Sequence, residues 1–177
     1  MRKVLVVVDM QNDFITGSLG TPEARAVVPR VAERIRGAMK EGRTLLFTQD
    51  THAPDYLDTQ EGRNLPVRHC IRNTPGWQLH EAVAPFAAET VEKSTFGSIA
   101  LEEALERLAE NGGANLDVEL CGVCTDICVV SNALLIKAHL PEAFVHVDAA
   151  CCAGVTPERH NAALEVMRAC QIQVSPA

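Results

Sequence analysis

The chain has 177 residues, of which 47% are hydrophobic and only 4% aromatic, so we expect a single domain over residues 1–177 with an aliphatic core. Its net charge of −7 argues against nucleic acid or an anionic membrane as a partner, and no stretch approaches the ~20 apolar residues that span a bilayer. Seven cysteines, two of them adjacent (Cys151 and Cys152), do not resemble a secreted disulfide framework. Because the N-terminus also lacks a signal-peptide pattern, we predict a cytoplasmic protein with free thiols.

Apolar runs of strand length alternate with helical patterns along the chain. Unbroken apolar strands separated by helices predict a parallel sheet that is covered on both faces. Ser98 is a predicted helix N-cap with Glu102 near the capping-box position, and Thr156 with Pro157 begins the last helix. The predicted strands are residues 3–8, 44–49, 90–93, 118–123 and 143–148, with QIQV closing the chain, and the predicted helices are about 23–41, 99–110, 126–139 and 157–169.

A long polar stretch with four prolines separates the second and third predicted strands, at residues 50–89. A loop of that length in a compact domain is usually functional. In parallel sheets, ligands bind beyond the carboxyl ends of the strands. Asp9, Asp50, Lys93 and the turn at residues 125–128 each follow a different predicted strand. We therefore expect four strands to deliver reactive side chains to one edge of the sheet.

The segment CGVCTDICV, residues 121–129, is the strongest indication of chemistry. Cys128 falls in the first turn of a predicted helix, where amide groups and the helix dipole favour a thiolate. The backbone N–H groups of Cys124 and Cys128 are candidates for an oxyanion hole. The alternatives are inert buried cysteines, a redox pair formed by Cys121 and Cys124, and a metal cluster formed by all three. We favour the nucleophile.

Asp9 and Lys93 are the candidate partners of this cysteine. Asp9 directly follows five apolar residues, and partial desolvation there raises the pKa of a carboxylate towards a value useful in acid–base chemistry. The alternative for Asp9 is a helix cap or a loop contact. A lysine at a strand end is most often solvated, so Lys93 acts only if it lies between Asp9 and Cys128, where it would steady both anions.

Four residues of the long loop are candidate metal ligands: Asp50, His52, Glu61 and His69. An Asp-x-His pair is a common start of a metal site, and carboxylate with imidazole suits Zn, Mn or Fe. The alternative is a polar loop that contains hydrogen-bonded histidines.

With these residues identified, the sequence resembles the isochorismatase-like cysteine hydrolases and, within them, the nicotinamidase-type amidases. The resemblance covers nearly the whole chain through VVDMQNDF, TQDTH, EKSTFGS and GVCTDICV, the last being similar to the family's nucleophile motif G-V-x-T-D-x-C-V. It implies a three-layer α/β/α sandwich with a six-stranded parallel sheet. It also implies an Asp–Lys–Cys triad at Asp9, Lys93 and Cys128, and a cis peptide at Val123–Cys124.

The resemblance carries over less completely to the metal site. Many nicotinamidases use one Asp and three His; here Asp50, His52 and His69 match, and the third histidine has no counterpart. Some relatives place a Glu in that role, which points to Glu61, with Asp58 as the other candidate. The resemblance therefore implies a divalent metal, Zn, Mn or Fe, and no organic cofactor. True isochorismatases lack the nucleophilic cysteine, so hydrolysis of a vinyl ether is disfavoured.

The sequence therefore predicts an amidohydrolase that cleaves a small, nicotinamide-like amide through a cysteine thioester. We expect Phe14 and Trp77 to form walls of the substrate pocket, and the protein to be a homo-oligomer, a dimer or a tetramer. The alternatives are a metal-independent hydrolase of carbamoyl or ureido compounds, a non-catalytic binding protein on this fold, and a redox protein that uses Cys121 and Cys124.

Overall fold

A computed structural model of the protein describes residues 1–175. Six strands form one sheet in the order β3-β2-β1-β4-β5-β6, and every neighbouring pair is parallel. The predicted six-stranded parallel sheet is confirmed. The strands are β1 Arg2–Val8, β2 Thr44–Asp50, β3 Thr90–Lys93, β4 Leu116–Val123, β5 Phe144–Ala153 and β6 Gln173–Val174.

The central strands form where the sequence has its longest apolar runs. Residues 4–8 of β1 are completely buried, and β4 is buried along its whole length. A strand with covered faces on both sides needs apolar side chains in both directions, and β-branched residues pack well there. The sequence VLVVV therefore specifies a central strand of the sheet.

The order of the strands creates a switch point beside β1. The chain runs outward from β1 through β2 to β3, and then returns to β4 on the other side of β1. In such sheets the crevice beyond the carboxyl ends of the two strands at the switch is the usual ligand site. Asp9 follows β1 and Cys124 follows β4, so the topology alone places these two residues side by side.

Helices cover both faces of the sheet. One long helix packs across β1, β2, β4 and β5, whereas three others pack in sequence against one another on the opposite side. Thr21, Ser98 and Thr156 cap helices through their side-chain oxygens, so the predicted caps at Ser98 and Thr156 are confirmed. The helices are α1 Asn12–Ile15, α2 Pro22–Lys40, α3 Gln60–Asn64, α4 Ile99–Glu106, α5 Val130–His139 and α6 Pro157–Ala169.

Within residues 1–175, no helix combines the length and the apolar composition that crossing a membrane would require.

The short helices α1 and α3 were not predicted, and three predicted elements differ in extent or geometry. β5 continues to Ala153, five residues past the predicted end. Residues 149–153 are small and largely buried, and the stabilisation from their burial outweighs their low strand propensity. α4 ends at Glu106, and its final turn continues with bonds of 3₁₀ type from Leu108 to Leu105 and from Ala109 to Glu106. The helix expected from about residue 126 begins with a π-helical turn, Thr125–Val129.

Glu102 does not complete a capping box with Ser98. It lies one position too far along α4 for that contact. Its side chain is instead buried, and neither carboxylate oxygen has a hydrogen-bond partner in the described part of the chain. Burial raises the pKa of this carboxyl group to about 8.

Candidate active site

Asp9, Lys93 and Cys128 meet at the carboxyl edge of the sheet. Lys93 Nζ lies 2.7 Å from Asp9 Oδ2 and 3.5 Å from Cys128 Sγ. All three residues are buried. They come from the ends of β1 and β3 and from the turn after β4. The structure thus brings together the three predicted residues, with the lysine between the carboxylate and the thiol.

Asp9 and Lys93 form a buried ion pair in which each charge stabilises the other. Burial lowers the pKa of Lys93, but Asp9, Cys128 and Asp50 together outweigh that effect and the pKa is raised overall, so Lys93 is a permanent cation. Burial raises the pKa of Asp9, and Lys93 only partly opposes the shift. The Thr48 hydroxyl donates to Asp9 Oδ1 over 2.6 Å and orients the carboxylate. Asp9 is therefore an oriented base with a greater proton affinity than an exposed aspartate.

The Cys128 thiol differs from the expectation for a helix start. Burial raises its pKa well above the ordinary value, and the Asp9 charge raises it further, although Lys93 acts in the opposite direction. The resting group is therefore a neutral thiol beside a carboxylate–ammonium pair. Such a thiol becomes a nucleophile when a neighbouring base removes its proton.

The turn that carries Cys128 packs closely against β1. Gly122 has a φ of 118°, and a Cβ atom there would lie 2.2 Å from the Val8 carbonyl oxygen, so only glycine fits. The Val123–Cys124 peptide is cis, as the resemblance implies. The Cys124 carbonyl accepts the N–H groups of residues 127 and 129, and the Cys128 N–H does not donate to it. The role of the Cys124 and Cys128 N–H groups in an oxyanion hole stays a prediction.

A second polar cluster adjoins the first. Asp50 Oδ2 lies 3.0 Å from His52 Nε2 and 3.6 Å from His69 Nε2. Glu61 Oε1 lies 3.8 Å and 3.9 Å from the same two nitrogens. The ligand atoms of Asp50, His52 and His69 all lie within 4.8 Å of one another, and Glu61 lies beside the two histidines at the edge of this group. Asp58 is exposed and is not part of this cluster, so of the two candidate carboxylates the structure places Glu61 beside the histidines.

The donor set fits a divalent cation. His69 Nδ1 donates to the Val67 carbonyl over 2.9 Å, which leaves the lone pair of Nε2 directed at the cluster, as second-shell hydrogen bonds do in metal sites. Burial raises the pKa of Asp50, but the combined effect of His52, His69 and Lys93 outweighs it and holds the pKa well below its usual range. An ionised carboxylate beside imidazole nitrogens suits Zn, Mn or Fe.

Gln11 and Trp77 hold the long loop against the strand ends. Gln11 Nε2 donates to the carbonyls of Asp50 and Trp77, each over 2.8 Å, and Gln11 Oε1 accepts the Asp50 N–H. The Trp77 indole donates to Thr51 Oγ1. Trp77 is not among the residues that line the cavity beside Cys128. Trp77 therefore anchors the long loop, and the cavity wall beside Cys128 is formed by other residues.

A cavity of about 300 Å³ opens beside the two clusters. Cys124 and Cys128 lie on its wall with Asp50, Glu61 and His69. Phe14 also lines this cavity, and its contact with a substrate stays a prediction. The sequence prediction missed the other lining residues: Phe96 and Ile127 lie inside the motifs EKSTFGS and GVCTDICV, and no motif marks the rest. The missed residues are Leu19, Leu65, Phe96, Ile127, Val155 and Arg159.

Comparison with known proteins gives a consistent result. The isochorismatase domain family matches residues 3–177. The chain is 25% identical to the nicotinamidase of Schizosaccharomyces pombe over 96% of the chain and 91% of that protein. It is 29% identical to the streptothricin hydrolase of Streptomyces noursei over 74% of the chain, but the match spans only 43% of that longer protein. Among solved structures, the pyrazinamidase of Pyrococcus horikoshii in complex with zinc aligns over 100% of both chains, with a TM-score of 0.81 and 29% identity.

Proposed function

Because the chain belongs to the isochorismatase family, in its nicotinamidase branch, we propose that it hydrolyses the C–N bond of a small, nicotinamide-like amide with Asp9, Lys93 and Cys128 as its triad. The observation that carries the proposal is the position of Lys93 Nζ, in contact with Asp9 Oδ2 at 2.7 Å and Cys128 Sγ at 3.5 Å. If the Asp9–Lys93 ion pair served only to stabilise the fold, it would not require a cysteine in contact with Lys93 on the wall of a cavity.

The first half of the reaction forms a thioester. Asp9 accepts the thiol proton as the Cys128 sulfur attacks the amide carbon, and the carbonyl electrons move to the oxygen. The N–H groups of Cys124 and Cys128 stabilise this oxyanion, for which one donor is worth ~10²–10³ in rate. When the oxyanion collapses, the C–N bond breaks and Asp9 gives its proton to the departing nitrogen. Ammonia or an amine leaves, and the acyl group stays on sulfur.

The second half releases the acid. Asp9 accepts a proton from water as the water oxygen attacks the thioester carbon. Collapse breaks the C–S bond, and the proton held by Asp9 returns to the Cys128 sulfur. Lys93 keeps its charge throughout and steadies whichever of its two neighbours is anionic. A positioned acid–base group of this kind typically contributes ~10²–10⁴-fold.

Asp50, His52, Glu61 and His69 would hold the divalent metal. When bound, the metal would act as a Lewis acid that binds a substrate heteroatom or water next to the nucleophile. Each of the four side chains contributes a single oxygen or nitrogen donor, and none is a thiolate, so we expect a site that keeps open positions and exchanges its metal.

The cavity walls favour a flat, weakly polar substrate. Phe14 and Phe96 supply aromatic surface, and Ile127 and Leu65 supply aliphatic surface. Apart from Arg159, the polar lining residues are the two cysteines and three of the candidate metal ligands, Asp50, Glu61 and His69. A heteroaromatic amide such as nicotinamide matches this distribution, with its amide at the sulfur and its ring nitrogen near the metal ligands.

One observation favours a second candidate. Arg159 is exposed at the cavity wall, and its guanidinium makes no ion pair among the described residues. A ureido acid, whose carbamoyl group carries the same C–N chemistry, would place its carboxylate near this cation. We keep hydrolysis of carbamoyl or ureido compounds as the alternative.

An ammonia-release screen tests the proposal. Purified protein is incubated with nicotinamide, pyrazinamide and N-carbamoyl amino acids, each with and without added Zn, Mn or Fe. We expect metal-stimulated release from a pyridine or pyrazine amide, and none from Cys128→Ala. Metal-independent release from ureido acids alone would support the alternative. No release from any compound would contradict both. The cytoplasmic location and the homo-oligomeric state stay predictions.

A further inference from the structure

A histidine outside the triad contacts the turn that carries the nucleophile. Thr125 is the first residue of the π-helical turn and is completely buried. Its hydroxyl Oγ1 lies 2.8 Å from His160 Nδ1, and it has no other side-chain hydrogen bond within residues 1–175. His160 lies in the first turns of α6 and is half-buried. A side chain from α6 therefore fixes the start of the turn that ends in Cys128.

The next residue of the turn is fixed to the same segment. Asp126 Oδ1 accepts the Val155 N–H over 2.9 Å. A Cβ atom on Gly154 would lie 2.9 Å from both Asp126 Oδ1 and the His160 backbone nitrogen, so a glycine is needed for this close approach. Val155 also lines the substrate cavity. The segment between β5 and α6 thus forms part of the cavity wall and also holds the nucleophile turn through a hydrogen bond to Asp126.

The Thr125 hydrogen bond lies next to the atoms that would stabilise the oxyanion. Thr125 directly follows Cys124, whose N–H is one proposed donor, and precedes Cys128 by three residues. The Cys124 N–H belongs to the Val123–Cys124 peptide, one residue before Thr125. A shift of Thr125 would be transmitted through Cys124 to that peptide and would change the direction of its N–H. Displacements of about 1 Å in such groups can cost ~10²-fold in rate. Burial lowers the pKa of His160, and the charge of Asp126 only partly opposes that shift. The Nδ1 atom is therefore available as an acceptor for the Thr125 hydroxyl.

We propose that His160 is a positioning residue of this hydrolase, which acts through Thr125 to hold the nucleophile turn in its reactive arrangement. The inference rests on the proposed function, because it assigns His160 a part in the same reaction. A merely structural bond would satisfy a buried hydroxyl and affect stability alone. A positioning bond affects the chemical step, and so kcat falls while KM and the melting temperature change little.

Paired variants at both positions separate these roles. Thr125→Val removes the hydroxyl at constant shape and Thr125→Ser keeps it. His160→Ala removes the ring, His160→Asn keeps a hydrogen-bonding atom near the position of Nδ1, and His160→Gln places one farther out. We expect Thr125→Val and His160→Ala each to lower kcat by at least about tenfold, with KM within about twofold. The double variant is expected to be no worse than either single one, since both remove the same bond.

Rescue gives the decisive comparison. Thr125→Ser and His160→Asn are expected to keep kcat within about threefold of wild type, whereas His160→Gln is expected to behave like His160→Ala. A kcat for Thr125→Val within about twofold of wild type would overturn the proposal, and so would additive losses in the double variant. If His160→Ala does not fold, Thr125→Val, which changes no volume, still decides the outcome.

A second measurement separates this inference from the proposed function. The rate at which iodoacetamide alkylates Cys128 is measured in the same variants, because it needs no substrate. If the wild type hydrolyses no amide, the proposed function fails. A slower alkylation in Thr125→Val and His160→Ala, restored in the Ser and Asn variants, would then still support positioning. If the wild type is active and both rates are unchanged in every variant, positioning fails and the proposed function stands.

Discussion

Lys93 Nζ lies 3.3 Å from Asp50 Oδ1, so the lysine of the proposed triad touches the carboxylate that belongs to the proposed metal site. The other oxygen of Asp50 faces His52 at 3.0 Å. One side chain at the end of β2 therefore joins the two clusters into a continuous polar network beneath the cavity. Removing Asp9 leaves Lys93 with Asp50 as its anionic partner.

Cys128 is expected to react with iodoacetamide ahead of the other six cysteines near neutral pH. Lys93 stabilises its thiolate and Asp9 accepts its proton, and no other cysteine within residues 1–175 contacts this pair. Cys170 is the internal control because it is the exposed cysteine. We expect Cys128 to be labelled roughly tenfold faster than Cys170, as measured by peptide mass spectrometry. In Asp9→Asn the order should reverse, since burial then keeps Cys128 as an unreactive thiol. Preferential labelling of Cys121 or Cys124 would contradict the assignment of the nucleophile.

Asp9→Asn is expected to lower turnover by at least ~10²-fold while the protein stays folded. An asparagine cannot take the thiol proton or return it to the leaving group. The fold should survive because Lys93 keeps its contact with Asp50 at 3.3 Å. Ammonia release and the melting temperature are compared with those of Asp55→Asn, an exposed substitution of the same type. Activity within about tenfold of wild type would exclude Asp9 as the acid–base group.

The sequence predicted the sheet and its reactive edge because both follow from local patterns. Apolar runs such as residues 4–8 specify strands, and the residues directly after parallel strands must meet at one edge. Asp9 and Lys93 are brought together for that reason. The metal candidates Asp50 and His52 were also found locally, through their spacing after β2.

The sequence did not reveal contacts that depend on how distant segments pack. Trp77 is an aromatic residue of the kind that often lines a pocket, but its indole and its carbonyl anchor the long loop. His160 is separated from Thr125 by 35 residues, and no pattern marks either as a partner of the other. Arg159 reaches the cavity because α6 packs beside the nucleophile turn. Each of these contacts follows from tertiary structure and leaves no periodic signal in the chain.

Glu61→Gln and Asp58→Asn distinguish the two carboxylates proposed as fourth metal ligand. Glu61 faces His52 and His69 at 3.8 Å and 3.9 Å, whereas Asp58 is exposed. We expect Glu61→Gln to weaken metal binding by about tenfold or more, and Asp58→Asn to leave it unchanged, because only the first change removes an anionic donor. Elemental analysis after dialysis against Zn or Mn measures the bound metal. Equal metal content in both variants and wild type would show that Glu61 is not a ligand. Well under one equivalent in the wild type, with activity unaffected by a chelator, would show that the loop is only a lid.

Glu102 is expected to make the protein less stable as the pH rises. Burial raises its pKa from 4.5 to about 8, and neither oxygen has a partner to stabilise the charge within the described chain. Between these two pKa values the folded state binds a proton that the unfolded state has lost. The free energy of unfolding therefore falls as the pH rises through this window, and the contribution of the protonated group is fully present below the lower value.

Glu102→Gln isolates this effect, because glutamine keeps the shape of the protonated acid and cannot ionise. We expect the variant to match wild type near pH 4, below the lower pKa, and to be more stable by about 1–3 kcal/mol near pH 9, a range that allows for partial solvent screening. Urea unfolding at a series of pH values measures the difference. Glu103→Gln serves as the matched control, since Glu103 is the exposed neighbour on the same helix and its replacement should leave the pH dependence unchanged. A difference between Glu102→Gln and wild type that stays constant from pH 4 to pH 9 would mean that Glu102 does not titrate in this window, because an isosteric change without titration shifts stability equally at every pH.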